Sequence, residues 1–73
     1  VDVRVVLREA LLNNATTLTL VHNHPSGNNR PSRDDDSLTL RLKKACETMR
    51  IFLVDHVIVT DRQYYSYNEE GRL

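Results

Sequence analysis

Two β-branched, apolar runs, residues 16–22 and 51–60, flank a segment with a helical period, and this alternation constrains the chain more than any other feature. A strand, a helix and a second strand can bury their apolar sides only by packing helix on sheet, so the pattern restricts the chain to an α/β or α+β arrangement. In the first run Leu18 and Leu20 share one face, and His22 continues it. Thr17, Thr19, Val21 and Asn23 share the other. Between residues 33 and 49, Leu38, Leu42, Ala45, Cys46 and Met49 form one helical stripe, with Lys43, Lys44 and Glu47 opposite. A further helix is expected over residues 2–14, where Val3, Val6, Leu7, Ala10 and Leu11 align, Asp2 serves as N-cap and Asn13-Asn14 closes the end. The run 51–60 is interrupted by Asp55-His56 and reads as one kinked strand or two short ones. Asp61-Arg62-Gln63 reads as a turn and Tyr64-Tyr65-Ser66 as a short strand, followed by a polar tail from Asn68.

At 73 residues the chain holds a single domain, residues 1–73, with one small core. Three strands make a thin sheet whose open edge calls for cover, either from upstream chain or from a second copy in a homo-oligomer. Ten basic and ten acidic residues cancel, which argues against a strongly cationic nucleic-acid binder or a polybasic membrane binder. The single cysteine, Cys46, precludes a disulfide framework, so the expected compartment is cytoplasmic. No apolar run approaches the ~18 residues of a membrane span, and no signal peptide is visible. The chain opens on Val1 and its one methionine is Met49, which suits either a removed initiator or a piece of a longer chain.

The chemistry is concentrated between residues 22 and 35: His-Asn-His-Pro-Ser-Gly-Asn-Asn-Arg-Pro-Ser-Arg-Asp-Asp. His22 and His24 are two apart at a strand end, so both imidazoles point to one side, and Pro25 keeps His24 extended. The loop returns the chain so that Asp35 arrives in the first turn of the second helix. Two imidazoles and a carboxylate suit zinc with one position left open. Taken separately, each part has a plainer reading. The histidines can be hydrogen-bonded residues at a strand end, and Ser32-x-x-Asp35 matches a capping box. The Asp34-Asp35-Asp36 run suits a helix N-terminus without any ion.

Taken together, His22-x-His24-x7-Ser32-x2-Asp35 resembles the JAMM motif of the JAB/MPN+ metallopeptidase superfamily. His22-Asn23-His24-Pro25-Ser26-Gly27 with Pro31-Ser32-x-x-Asp35 is similar to the RadC-like branch in particular. Asp55-His56-Val57-Ile58-Val59 and Arg8-Glu9-Ala10-Leu11 share that likeness, which covers nearly the whole chain. The resemblance implies a deaminase-like three-layer α/β/α sandwich around a mixed sheet. It implies a Zn2+ site made by His22, His24 and Asp35, with Ser32 catalytic as the group supporting the oxyanion. It implies hydrolysis of a peptide or isopeptide amide in a protein substrate, in a family named for DNA repair. The superfamily's general base, a glutamate on an upstream strand, has no counterpart here, since Glu9 lies on the charged side of the first helix. The N-terminal strands are therefore expected to be missing.

A DNA-associated protein and a non-catalytic zinc-binding interaction module stand as alternatives to the hydrolase. Neutral charge speaks against the first. Among other residues, His56 reads as a structural histidine, with a contact behind the metal ligands or to substrate as the rival, and Cys46 as a buried small apolar residue rather than a ligand or nucleophile. Tyr64, Tyr65 and Tyr67 read as packing or edge residues with base stacking as the rival. Arg30 and Arg33 either offset the aspartates or hold an anionic substrate, and Gly27 serves a turn.

Overall fold

In a computed structural model that describes residues 1–25 and 27–73, the chain forms α1 (Val3–Leu12), β1 (Thr17–Asn23), α2 (Arg33–Thr48), β2 (Phe52–Val59) and β3 (Tyr64–Ser66). All five expected elements appear in the expected order. The sheet order is β1-β2-β3, with β1 and β2 parallel and β2 and β3 antiparallel. Parallel neighbours need a long crossover, which α2 provides, while the turn at residues 60–63 suffices for the antiparallel pair. This is an α/β fold with a mixed sheet. Gly27, expected to serve a turn, adopts a φ of +81° that favours glycine, while Ser26 before it lies outside the described residues.

Both helices are capped at both ends by side chains or backbone of their own sequence. Asp2 accepts the Arg4 N–H at the start of α1, and Ser32 and Asp35 form a reciprocal capping box at the start of α2. At the far ends the chain reverses through left-handed residues, Asn14 (φ 54°) and Arg50 (φ 56°). In α1 the amides of Asn14 and Ala15 donate to the carbonyls of Leu11 and Ala10. In α2 those of Arg50 and Ile51 donate to Glu47 and Cys46, the same double closure. Asparagine tolerates that conformation, whereas a long side chain at Arg50 strains it. Arg50→Gly is expected to raise stability by about 0.5–1 kcal/mol in urea denaturation. An unchanged or lower midpoint would show that Arg50 has a compensating role.

The core joins Ala10 of α1, Leu42 and Cys46 of α2, Ile51, and Leu53 of β2. Val3, Val6, Leu7, Ala15, Leu18, Leu20 and Leu73 pack around it. Leu18, Leu20 and His22 are each half-buried beneath the helices, as the period of β1 requires. The opposite sheet face stays open, with Phe52 and Tyr64 more than half exposed. Of the three layers implied by the resemblance, the described residues supply the sheet and one helical layer. Leu11 and Met49 depart from the expected stripes: each is 48% exposed. Both sit at or beside helix C-termini, where the chain leaves for the next strand.

The interruption in residues 51–60 is not at Asp55-His56. β2 is one strand, and its register against β1 slips by one residue: Leu18 pairs with Leu53, but Thr19 pairs with Asp55. Val54 is the extra residue. Side chains alternate along a strand, so one inserted residue exchanges the faces of everything after it. Leu53 and His56 therefore share the helix-covered face, and His56 sits beside Leu20 in register with no exposed surface. Among the described residues, no helix is long and apolar enough to cross a membrane.

Candidate metal centre

β1 and the start of α2 converge at the carboxyl end of the parallel strands. His22 is the penultimate residue of β1. His24 lies beyond it, but its amide still donates to the Val59 carbonyl at 3.0 Å, so the chain stays aligned with β2 and both rings keep one side. The first turn of α2 delivers Asp35. His22 Nε2 and His24 Nε2 are 3.2 Å apart; His22 Nε2 lies 3.2 Å from Asp35 Oδ1, and His24 Nε2 lies 3.1 Å from Asp35 Oδ2. Each residue offers one donor atom to a group spanning at most 4.8 Å, an arrangement that could hold a metal ion.

Two imidazoles and one carboxylate are a donor set of the kind that suits zinc. Metal–nitrogen bonds of about 2.0–2.1 Å in a tetrahedron give edges of about 3.3–3.4 Å. The 3.2 Å between the two ring nitrogens falls within a few tenths of an ångström of that, and each ring has a different Asp35 oxygen at a like distance. The backs of both rings are also engaged. His24 Nδ1 donates to the Asn28 carbonyl at 2.8 Å, and His22 Nδ1 is 2.9 Å from His56 Nε2. Histidine ligands commonly have such partners, which fix ring orientation.

Asp35 serves both the cap and the cluster. Its Oδ2 accepts the Ser32 N–H at 2.7 Å while the Asp35 N–H donates to Ser32 Oγ at 3.1 Å. The capping and ligand roles thus meet on one carboxylate: Oδ2 accepts the Ser32 N–H and also lies 3.1 Å from His24 Nε2, while Oδ1 faces His22 alone. Burial opposes ionisation of Asp35, but the hydrogen bonds from Ser32 and the neighbouring imidazoles outweigh it and hold the carboxyl below its usual range.

The cluster opens into a cleft of about 540 Å3, which Ser32, Asp34, Ser37 and Arg41 also line. Ser32 is exposed at its rim. Arg41 had no signal in the sequence, because a single arginine on a helix reads as solvated surface until the fold shows what it borders. Among the described residues no glutamate lines the cleft, and Glu9 is on the surface of α1 beside Arg8. Arg30 and Arg33 are exposed and line no part of it.

His56 is wholly buried, and burial together with the adjacent His22 pushes its pKa down to about 4. Tyr67 stacks on it at 4.8 Å with rings 7° from parallel, and its hydroxyl donates to Asp36 at 2.7 Å. Tyr67 is therefore core, while Tyr64 is exposed and donates to Glu69. Asp55, next to His56 in sequence, points to the other face, where it accepts from Ser66 Oγ and the Asn68 amide. Cys46 is fully buried and burial raises its thiol pKa, so it is a packing residue and not a nucleophile.

Residues 1–72 match the family model described as RadC-like JAB domain. The chain is 55% identical over 70 residues to a UPF0758 protein of Streptococcus gordonii, covering 96% of this chain and 31% of that protein. A UPF0758 protein of Streptococcus sanguinis is 54% identical over 67 residues, covering 92% and 30%. One from Thermotoga maritima is 51% identical over 70 residues, covering 96% and 32%. The chain thus spans about 30% of the length of these relatives. The match runs through the converging histidines, the capping box and the sheet that aligns them, and this chain belongs to the RadC-like JAB domain family.

Proposed function

We propose that His22, His24 and Asp35 bind one zinc ion and that the cleft beside them is the hydrolytic site of a metallopeptidase acting on a peptide or isopeptide amide. The observation that carries this reading is the convergence of two imidazole nitrogens and a carboxylate from separate elements onto one point facing an open cleft. Zinc in such a site activates water for attack at neutral pH and polarises a carbonyl oxygen. The chain's own residues would do the rest. His22 and His24 hold the ion through Nε2, with their rings fixed from behind. Asp35 supplies the third donor and lowers the net charge of the centre. Ser32 accepts the Asp35 amide with a lone pair, which leaves its hydroxyl proton for an oxyanion developing on the substrate. The general base in this reading is a glutamate from outside these 73 residues, because among the described residues no glutamate lines the cleft.

Zinc should bind the unaltered chain one-to-one. The full-length Streptococcus gordonii relative should cleave peptide or isopeptide amides, and this chain alone should do so about 10²–10⁴-fold more slowly, the usual contribution of acid–base assistance. Failure of the chain to take up zinc would overturn the reading. Zinc uptake with no hydrolysis by either protein would replace it with a zinc-stabilised interaction module.

A further inference from the structure

A line of hydrogen bonds runs behind the metal cluster and connects two of its members. It begins at His22 Nδ1, 2.9 Å from His56 Nε2. The other nitrogen of His56 meets Thr39 Oγ1, and Thr39 Oγ1 donates to the Asp35 carbonyl at 2.8 Å. The line thus joins β1, β2 and α2, leaving from one proposed ligand and ending on the backbone of another.

Counting protons gives the line a direction. Thr39 has one hydroxyl proton. Given to the Asp35 carbonyl, it leaves the threonine oxygen as an acceptor, so His56 Nδ1 carries the N–H. Neutral His56 then has its lone pair on Nε2 and accepts from His22 Nδ1–H. This leaves the His22 Nε2 lone pair facing His24 and Asp35. In the opposite direction His56 would donate to His22, and the His22 proton would sit on Nε2, where an ion must bind. His24 is set separately, because its Nδ1 faces the Asn28 carbonyl, which can only accept.

We propose that His56 and Thr39 are positioning residues that hold His22 as its Nδ1–H tautomer and so keep its Nε2 free for the metal. The proposal rests on the metal-binding reading above and assigns its affinity in part to residues outside the cleft. Neither residue can find another partner in water: His56 has no exposed surface and Thr39 is 5% exposed. The His56 ring cannot turn away, because Tyr67 stacks flat against it. Asp55, whose carboxylate could compete for the imidazole, faces the other side and is engaged by Ser66 and Asn68.

Thr39→Val keeps the side-chain shape and removes the acceptor of the His56 proton. His56 then does better by moving its proton to Nε2, which turns the line against metal binding. Competition with a chromogenic chelator should show zinc affinity falling about 10–100-fold in Thr39→Val. Thr39→Ser, which keeps the hydroxyl, should stay within about 3-fold of the unaltered chain. A merely structural threonine would change the melting of the metal-free chain and leave zinc affinity unmoved. Nitrogen-15 spectra of the unaltered, zinc-loaded chain test the same point without substitution. They should place the proton on Nδ1 of both His22 and His56. Equal zinc affinity in the three chains, or a proton on His56 Nε2, would overturn the proposal while leaving the metal site standing. No zinc uptake by the unaltered chain would remove the site and the proposal together.

Discussion

Asp35→Asn is expected to separate the two roles that one carboxylate fills. The amide oxygen of asparagine can still accept the Ser32 N–H, and the Asp35 backbone N–H still reaches Ser32 Oγ, so the capping box survives in neutral form. Loss of the charge at the helix N-terminus costs about 0.3–1 kcal/mol. Zinc binding should suffer far more. A neutral amide replaces the anionic ligand, whereas zinc sites are built from thiolate, imidazole and carboxylate. Losing a partner behind a ligand already costs about 10–100-fold in affinity, so losing a ligand should exceed about 100-fold. Chelator competition and urea denaturation of the metal-free protein read the two effects independently. Near-native zinc affinity would show that Asp35 is only a cap. A drop in stability of several kcal/mol would show that the charged form is required for folding.

The metal-free chain should also lose stability in mild acid, well above the range in which carboxylates titrate. Burial holds the pKa of His56 at about 4 against an ordinary value of 6.5. The unfolded chain therefore takes up a proton below about pH 6.5 that the native chain refuses until about pH 4. Protons bound preferentially by the unfolded state destabilise the native one, and the loss accumulates as pH falls through that window. At 1.36 kcal/mol per unit it amounts to about 3 kcal/mol, a large share of the roughly 4–11 kcal/mol expected for a domain of this size. Asp35 and Asp36 act in a lower window. Hydrogen bonds hold both carboxyls below 3.8, so their contribution is present above that value and lost only below it. Urea midpoints between pH 7.5 and 4.5, taken with a chelator present, should fall steadily. Midpoints that stay level across that interval would show that His56 is not held neutral in the fold.

Much of this architecture is legible in local pattern. The β-branched runs and the helical stripe through Leu38, Leu42 and Cys46 place three elements, and the start of α2 is written as Ser32-x-x-Asp35. The spacing of His22, His24, Ser32 and Asp35 locates the cluster, because strand period and the first turn of a helix are short-range geometry. The outer ends of both stripes were less legible. Leu11 and Met49 match the period, yet each stays about half exposed, and burial depends on the neighbour as much as on the residue.

His56 marks the division most clearly. Its chemistry is plain in the sequence, but its direction is not. Counted by twos from Leu53, it belongs on the open face with the exposed side chains of β2. The extra residue at Val54 returns it to the helix side, against Leu20 and within reach of His22. Such a slip is set by pairing between strands more than thirty residues apart, and a local pattern carries no record of it. The sequence alone determined the elements and singled out His22, His24 and Asp35 as a cluster, since periodicity and capping act within a few residues. Only the tertiary structure decided what stands behind those donors, Thr39 and His56, and that Arg41 borders the cleft. Those positions follow from strand register and helix packing, which are properties of the whole chain.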